Sequence, residues 1–121
     1  MIKGLRTVAY PVADLAAAKE WYSKVFGVQP YFDQPFYVGF NIGGFELGLI
    51  PDGTPGIAGS TVYWGVEDIE AEVARITALG ATVHGAIQDV GESIRTVELA
   101  DPFGNILGLI YNPHFDLAAV R

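Results

Sequence analysis

The sequence predicts an α+β fold built from two copies of one βαβββ unit, and three features carry that prediction. VAYPVADLAAAKEWYSKVFG at 8–27 recurs, one residue shorter, as VYWGVEDIEAEVARITALG at 62–80. ELGLI at 46–50 returns as ILGLI at 106–110. Between these landmarks both halves alternate short apolar runs with turn signals, the pattern of brief strands.

Each copy opens on a β-type run and passes into a helix at Asp14 or Asp68, whose carboxylate suits an N-cap because it accepts from free backbone N–H groups. Val8, Val12, Asp14 and Leu15 fall on Val62, Val66, Asp68 and Ile69. Buried stripes are expected at Leu15, Ala18, Tyr22 and Val25, then at Ile69, Val73, Ile76 and Leu79; both have helical spacing, and both helices stop at a glycine, Gly27 or Gly80. Three strands follow in each half, over 28–33, 36–42 and 44–50, then 82–87, 93–100 and 105–111. The first module takes about 1–50 and the second about 61–115. PDGTPGIAGS at 51–60 links them, short enough that 1–121 reads as one domain.

Turn chemistry sets the register. Gly43-Gly44 suits a two-residue hairpin whose central positions need positive φ, which places Ile42 opposite Phe45, Asn41 opposite Glu46 and Gly39 opposite Gly48. Val38, Phe40, Ile42, Phe45, Leu47 and Leu49 then share the face that covers the helix, and Tyr37, Gly39, Asn41, Glu46 and Gly48 share the other. DPFGN at 101–105 fits a three-residue loop with Pro102 at its first position and Gly104 left-handed, so Glu98 opposes Gly108 and Leu99 opposes Leu107. A two-residue loop would bury Glu98 beside Leu107, a costly place for an unpaired carboxylate. The glycines on the second faces would let a ligand come close to the backbone, or else only ease sheet curvature.

Composition narrows the function. Acids outnumber bases 14 to 7, the net charge is −7 and the bases form no cluster, so nucleic acid is not an expected partner. No apolar run approaches the roughly 20 residues of a membrane helix, and no signal peptide is visible. Without cysteine there is no thiolate or disulfide chemistry, and a cytoplasmic location is expected.

Other constellations are thin. Ser23, Ser60 and Ser93 lack an evident histidine partner, and GGFELG lies on strands without the helix N-terminus of a phosphate cradle. His84 and His114 read as surface or packing residues, Trp21, Tyr22 and Phe26 as packing, and Arg95 as a solvated strand-end cation.

Two βαβββ units with V-x-D opening each helix (VADL, VEDI), ELGLI closing the first and DPFGNILGLIYNP closing the second, resemble the vicinal oxygen chelate superfamily over nearly the whole chain. That group holds glyoxalase I, bleomycin-resistance proteins and extradiol dioxygenases. The resemblance implies a curled mixed sheet of about eight strands around a cleft, helices on the outer face, commonly in a homodimer. Its metal enzymes carry ligands near the start of the first strand and the end of the fourth in each half. Here the first-strand places are Thr7 and Thr61, and the last-strand place of the second half is Gly108. In the first half that place is Glu46 if the E of E-L is matched, or Gly48 if ELGLI is laid letter for letter on ILGLI. At most one ligand survives, too few for Zn²⁺ or a 2-His-1-carboxylate iron site. No cofactor is therefore expected, and a divalent metal would need a relocated site such as Glu46 with Glu98.

Two functions follow. As a binding protein similar to bleomycin-resistance members, the chain would hold a small cationic or aromatic ligand. Tyr37 and Tyr63 would stack on it, Thr7, Asn41 and Thr61 would hydrogen-bond to it, Glu46 and Glu98 would meet a cation or donor, and Gly48 and Gly108 would give it room. As a glyoxalase-like lyase or isomerase, it would use Glu46 as general base.

Overall fold

The computed structural model describes residues 5–56 and 61–115. The start of the first module (1–4), the end of the linker (57–60, with Ser60) and 116–121 lie outside the described residues. The element order is β1 (Thr7–Pro11), α1 (Leu15–Phe26), β2 (Phe32–Gln34), β3 (Tyr37–Ile42), β4 (Phe45–Ile50), β5 (Tyr63–Gly65), α2 (Ile69–Ala78), β6 (Thr82–Val83), β7 (Gln88–Asp89), β8 (Arg95–Ala100) and β9 (Ile106–Tyr111). The chain forms two compact units, Met1–Gly59 with Pro102–Asn105, and Ser60–Asp101 with Ile106–Arg121.

In the first unit the sheet order is β1-β4-β3-β2, with β1 parallel to β4 and the other pairs antiparallel. The Gly43-Gly44 turn has φ of 60° and 92°, and the expected pairs Ile42 with Phe45, Asn41 with Glu46 and Gly39 with Gly48 all form. Asp14 accepts from Ala17 N–H (3.0 Å) to start α1, and Gly27 closes it in the left-handed region at φ 69°. The helix buries Ala18, Trp21, Tyr22 and Val25 against Val38, Phe40, Leu47 and Leu49 of the sheet. Tyr22 is fully buried and stacks on Phe26 (centroids 6.0 Å apart), while Trp21 meets it edge-on at 4.8 Å.

The DPFGN turn serves this first unit. The Phe103 ring lies 5.9 Å from Trp21 and 6.4 Å from Tyr22. Asn105 is buried; its Nδ2 donates to Pro11 O (2.8 Å) and its Oδ1 accepts from Gly56 N–H (3.3 Å).

The second unit repeats the plan with β5-β9-β8-β6, β5 parallel to β9, and β7 also paired to β8. Asp68 accepts from Ala71 N–H (3.1 Å), and α2 buries Ile69 and Ile76 over Val97, Leu99, Leu107 and Leu109. Leu99 pairs with Leu107 and Glu98 with Gly108, the three-residue-loop register. Two expectations are corrected. The strand expected at 28–33 pairs only over Phe32–Gln34. The one expected at 82–87 is two short pieces, β6 opposite Ala100 and Leu99 and β7 opposite Thr96 and Arg95. Residues 84–87 thus face only Val97 and Glu98, and the surplus loops out at Gly85, where φ is 102°.

Candidate functional site

The residues singled out on the second face of the first unit come together on β3 and β4. Thr7 pairs with Glu46, Ala9 with Gly48, and Asn41 with Glu46, so these side chains stand on one face by the period of two. The glycines make room there, but for tyrosines. A methyl group built on Gly48 would lie 2.7 Å from Cζ of Tyr37, and one built on Gly39 would lie 3.3 Å from Cε1 of Tyr31. The rings lie over glycine backbone, much as aromatic side chains cover glycines across strands. Close approach of a ligand to the backbone at these positions is therefore not what the face offers; it offers rings.

Both rings carry their hydroxyls to one carboxylate. The Tyr31 hydroxyl donates to Oε1 of Glu46 and the Tyr37 hydroxyl to Oε2. Tyr37's phenol is pushed up to about 12 by partial burial, then by its hydrogen bond to Glu46 and the charges of Glu46 and Tyr31. Tyr31 is raised too, chiefly by the hydrogen bond to Glu46. Both phenols are accordingly protonated donors at neutral pH. Glu46 makes no ion pair among the described residues.

Tyr31 was not foreseen as a site residue. Its N–H donates to Gly39 O (3.0 Å) while Phe32 is the ladder partner of Gly39, so two consecutive aromatics stand opposite one residue, a bulge that turns both toward the same face. The ring pair Phe32–Phe36 (6.0 Å, 65°) and Phe32–Tyr37 (6.0 Å, 62°) extends the aromatic surface edge-to-face. The only signal in the sequence is the aromatic run Tyr31-Phe32 facing a glycine strand. Asn41, by contrast, spends its Oδ1 on Gly44 N–H (2.9 Å) in the hairpin turn.

In the second unit Thr61, Tyr63, Glu98 and Gly108 are also neighbours. Thr61 Oγ1 donates to Oε1 of Glu98 (3.0 Å), and the Tyr63 ring lies where a Cβ on Gly108 would be, 2.7 Å from its Cδ1. Tyr63 and Glu98 line an open cavity of about 80 Å³ with His84, Gln88 and Thr96. That is well short of the roughly 300–1,000 Å³ of a drug-sized site. His84 reaches this cavity because its N–H donates to Glu98 O (2.8 Å) at the edge of the looped-out segment. Arg95 is not a solitary cation, since it pairs with Glu70 of α2.

The pairing also decides between the two alignments of the closing strands. Ala9 stands to Gly48 as Tyr63 stands to Gly108, so Glu46 corresponds to Ile106 and the last-strand place of both units is a glycine. In neither unit do the residues at the metal-ligand places, threonine and glycine, fit a divalent cation of the usual kind. Among the described residues no three His, Asp or Glu side chains converge. Nor would Glu46 be a ready base, with both oxygens engaged by phenols.

The model of the Glyoxalase/Bleomycin resistance protein/Dioxygenase superfamily matches residues 4–109. The chain belongs to that superfamily. It is 36% identical over 85 residues to the cadmium-induced protein CadI of Mycobacterium tuberculosis, across 66% of the chain; the chain spans 56% of the length of that relative. Among solved structures it superposes on the genomically encoded fosfomycin resistance protein FosX of Listeria monocytogenes with a TM-score of 0.80, at 17% identity over 94% of this chain and 97% of that one. Lactoylglutathione lyase of Agrobacterium tumefaciens gives 0.78, at 20% identity over 96% and 100%. At such identities these likenesses establish the superfamily's α+β fold. No helix among the described residues is long and apolar enough to cross a membrane.

Proposed function

We propose that the protein is a metal-independent small-molecule-binding member of the superfamily, cytoplasmic and homodimeric, in which the first unit's Tyr31, Tyr37 and Glu46 meet a cationic or aromatic ligand. The observation that carries this reading is the tyrosine pair, whose rings occupy the glycine face and whose hydroxyls both end on Glu46. Where metal-using relatives would place a ligand for the ion, this chain has Gly48 under an aromatic ring. Ring surface beside an uncompensated carboxylate attracts positive charge and flat molecules. Thr61, Tyr63 and Glu98 supply a smaller polar counterpart in the second unit.

Metal analysis after purification without chelator, together with thermal unfolding in the presence of cationic aromatic compounds, tests the proposal. We expect no stoichiometric Zn, Ni, Fe or Mn. A ligand at 100 times its Kd adds about 2.7 kcal/mol, a melting shift of roughly 10 °C for a chain of this size. Retained stoichiometric metal, or a panel in which no compound stabilises the protein, would overturn it.

A further inference from the structure

The tyrosine pair does more than mark a binding face; it restricts what kind of cation the face accepts. Each oxygen of Glu46 already accepts a hydrogen bond from a phenol. The carboxylate therefore presents negative charge with one acceptor position on each oxygen taken. A primary ammonium or guanidinium needs acceptors for all of its N–H groups when it leaves water, and here must share the remaining lone pairs of Glu46 with two phenols. A fully alkylated nitrogen needs none and sheds weakly held water.

The rings suit such a group as well. Tyr31 is 64% exposed, Phe36 65% and Phe32 39%, so the Tyr31 ring at Glu46 and the phenylalanine rings next to Tyr37 are open to a ligand, and Phe32 meets both Tyr37 and Phe36 edge-to-face. A phenol donating to an anion has the more electron-rich ring, which strengthens attraction to a cation over its face. Lys19 is paired to Asp33 of β2 at 2.9 Å, and Glu46 has no ion-pair partner among the described residues.

We propose that the face formed by Tyr31, Phe32, Tyr37 and Glu46 is a subsite for a quaternary ammonium group, selected over ammonium groups that carry N–H donors. This rests on the small-molecule-binding reading above and specifies its ligand.

The test uses three probes of one shape on the full chain: choline, ethanolamine, and the uncharged choline isostere with a tert-butyl group in place of trimethylammonium. NMR titration follows the ring signals of Tyr31 and Tyr37. Choline is expected to shift both and to bind at least about fivefold more tightly than either other probe, about 1 kcal/mol, with the Glu46 charge and the rings acting together against the uncharged isostere and the unmet N–H donors acting against ethanolamine. Tyr37→Phe keeps the ring and frees one oxygen of Glu46, so the preference for choline over ethanolamine should fall by about half or more. Glu46→Gln removes the charge, and choline and its isostere should then bind within about twofold of each other.

Ethanolamine binding as tightly as choline, or a choline preference unchanged in Tyr37→Phe, would overturn the proposal. If benzyl alcohol shifts the tyrosine signals and choline does not, the quaternary-ammonium subsite falls while small-molecule binding stands. If neither probe shifts them, both readings fall. A second copy of the chain covering this face is a further overturning outcome: choline would leave the native signals unmoved, and Tyr37→Ala would sediment as a smaller species.

Discussion

The Tyr37 ring covers the backbone of Gly48, and the same residue's hydroxyl donates to Oε2 of Glu46, two residues earlier on the same strand. A glycine and a carboxylate on one strand thus meet the same hydroxyl end of a single phenol. Tyr63 covers Gly108 in the same way, but there the room is also bounded by backbone, since a Cβ on Gly108 would lie 2.5 Å from Val62 O.

That difference separates two identical substitutions. In Gly48→Ala the obstruction is the far end of a half-buried side chain, which can swing away. Stability should change by about 1 kcal/mol or less, while the Tyr37 hydroxyl leaves Glu46. In Gly108→Ala the methyl meets a carbonyl held in the parallel β5–β9 pairing, and the cost should be about 1–3 kcal/mol. Urea unfolding of the two variants distinguishes them; equal losses would contradict the geometry.

Alkaline titration reports on the Tyr37–Glu46 contact. Tyr37 should ionise near about 12 in the folded protein, against 10.0 for an ordinary tyrosine, mainly through partial burial and the bond to Glu46. Because the folded-state value is the higher one, the contribution to stability is complete below pH 10 and is lost as pH rises through about 12. The difference in phenolate absorbance between the native protein and Tyr37→Phe isolates this step. Glu46→Gln should move it back toward the ordinary value, and a Tyr37 that already titrates at 10.0 in the native protein would contradict the contact.

Asn105→Ala should destabilise the first unit by about 1–3 kcal/mol, because Pro11 O and Gly56 N–H lose a partner supplied from far along the chain. Near-ultraviolet circular dichroism should report it, since Trp21 lies against Phe103 of the same turn. Unfolding as stable as the native protein's would show that water replaces the amide without loss.

The two helix caps should behave alike. Asp14→Ala and Asp68→Ala each remove one acceptor from the first turn, at Ala17 and Ala71, and should each cost about 1 kcal/mol in chemical denaturation. A clear loss in only one would mean that the modules differ in how far the cap limits their stability.

The sequence by itself determined the two modules, their helix starts and the pairing of β3 with β4 and of β8 with β9. Those features depend on contacts a few residues apart: an Asp three residues before the N–H it caps, a Gly-Gly turn, a Pro-Phe-Gly loop. A turn of known length sets the parity of its strands, and parity sends each side chain to one face or the other. The tertiary structure alone decided what lies on those faces. Tyr31 reaches Glu46 because a bulge opposite Gly39 breaks the alternation. The DPFGN turn gives Phe103 and Asn105 to the first unit, and β6 and β7 separate because residues 84–87 outnumber their partners. Each of these depends on two distant segments fitting together, and periodicity within either segment does not contain that information.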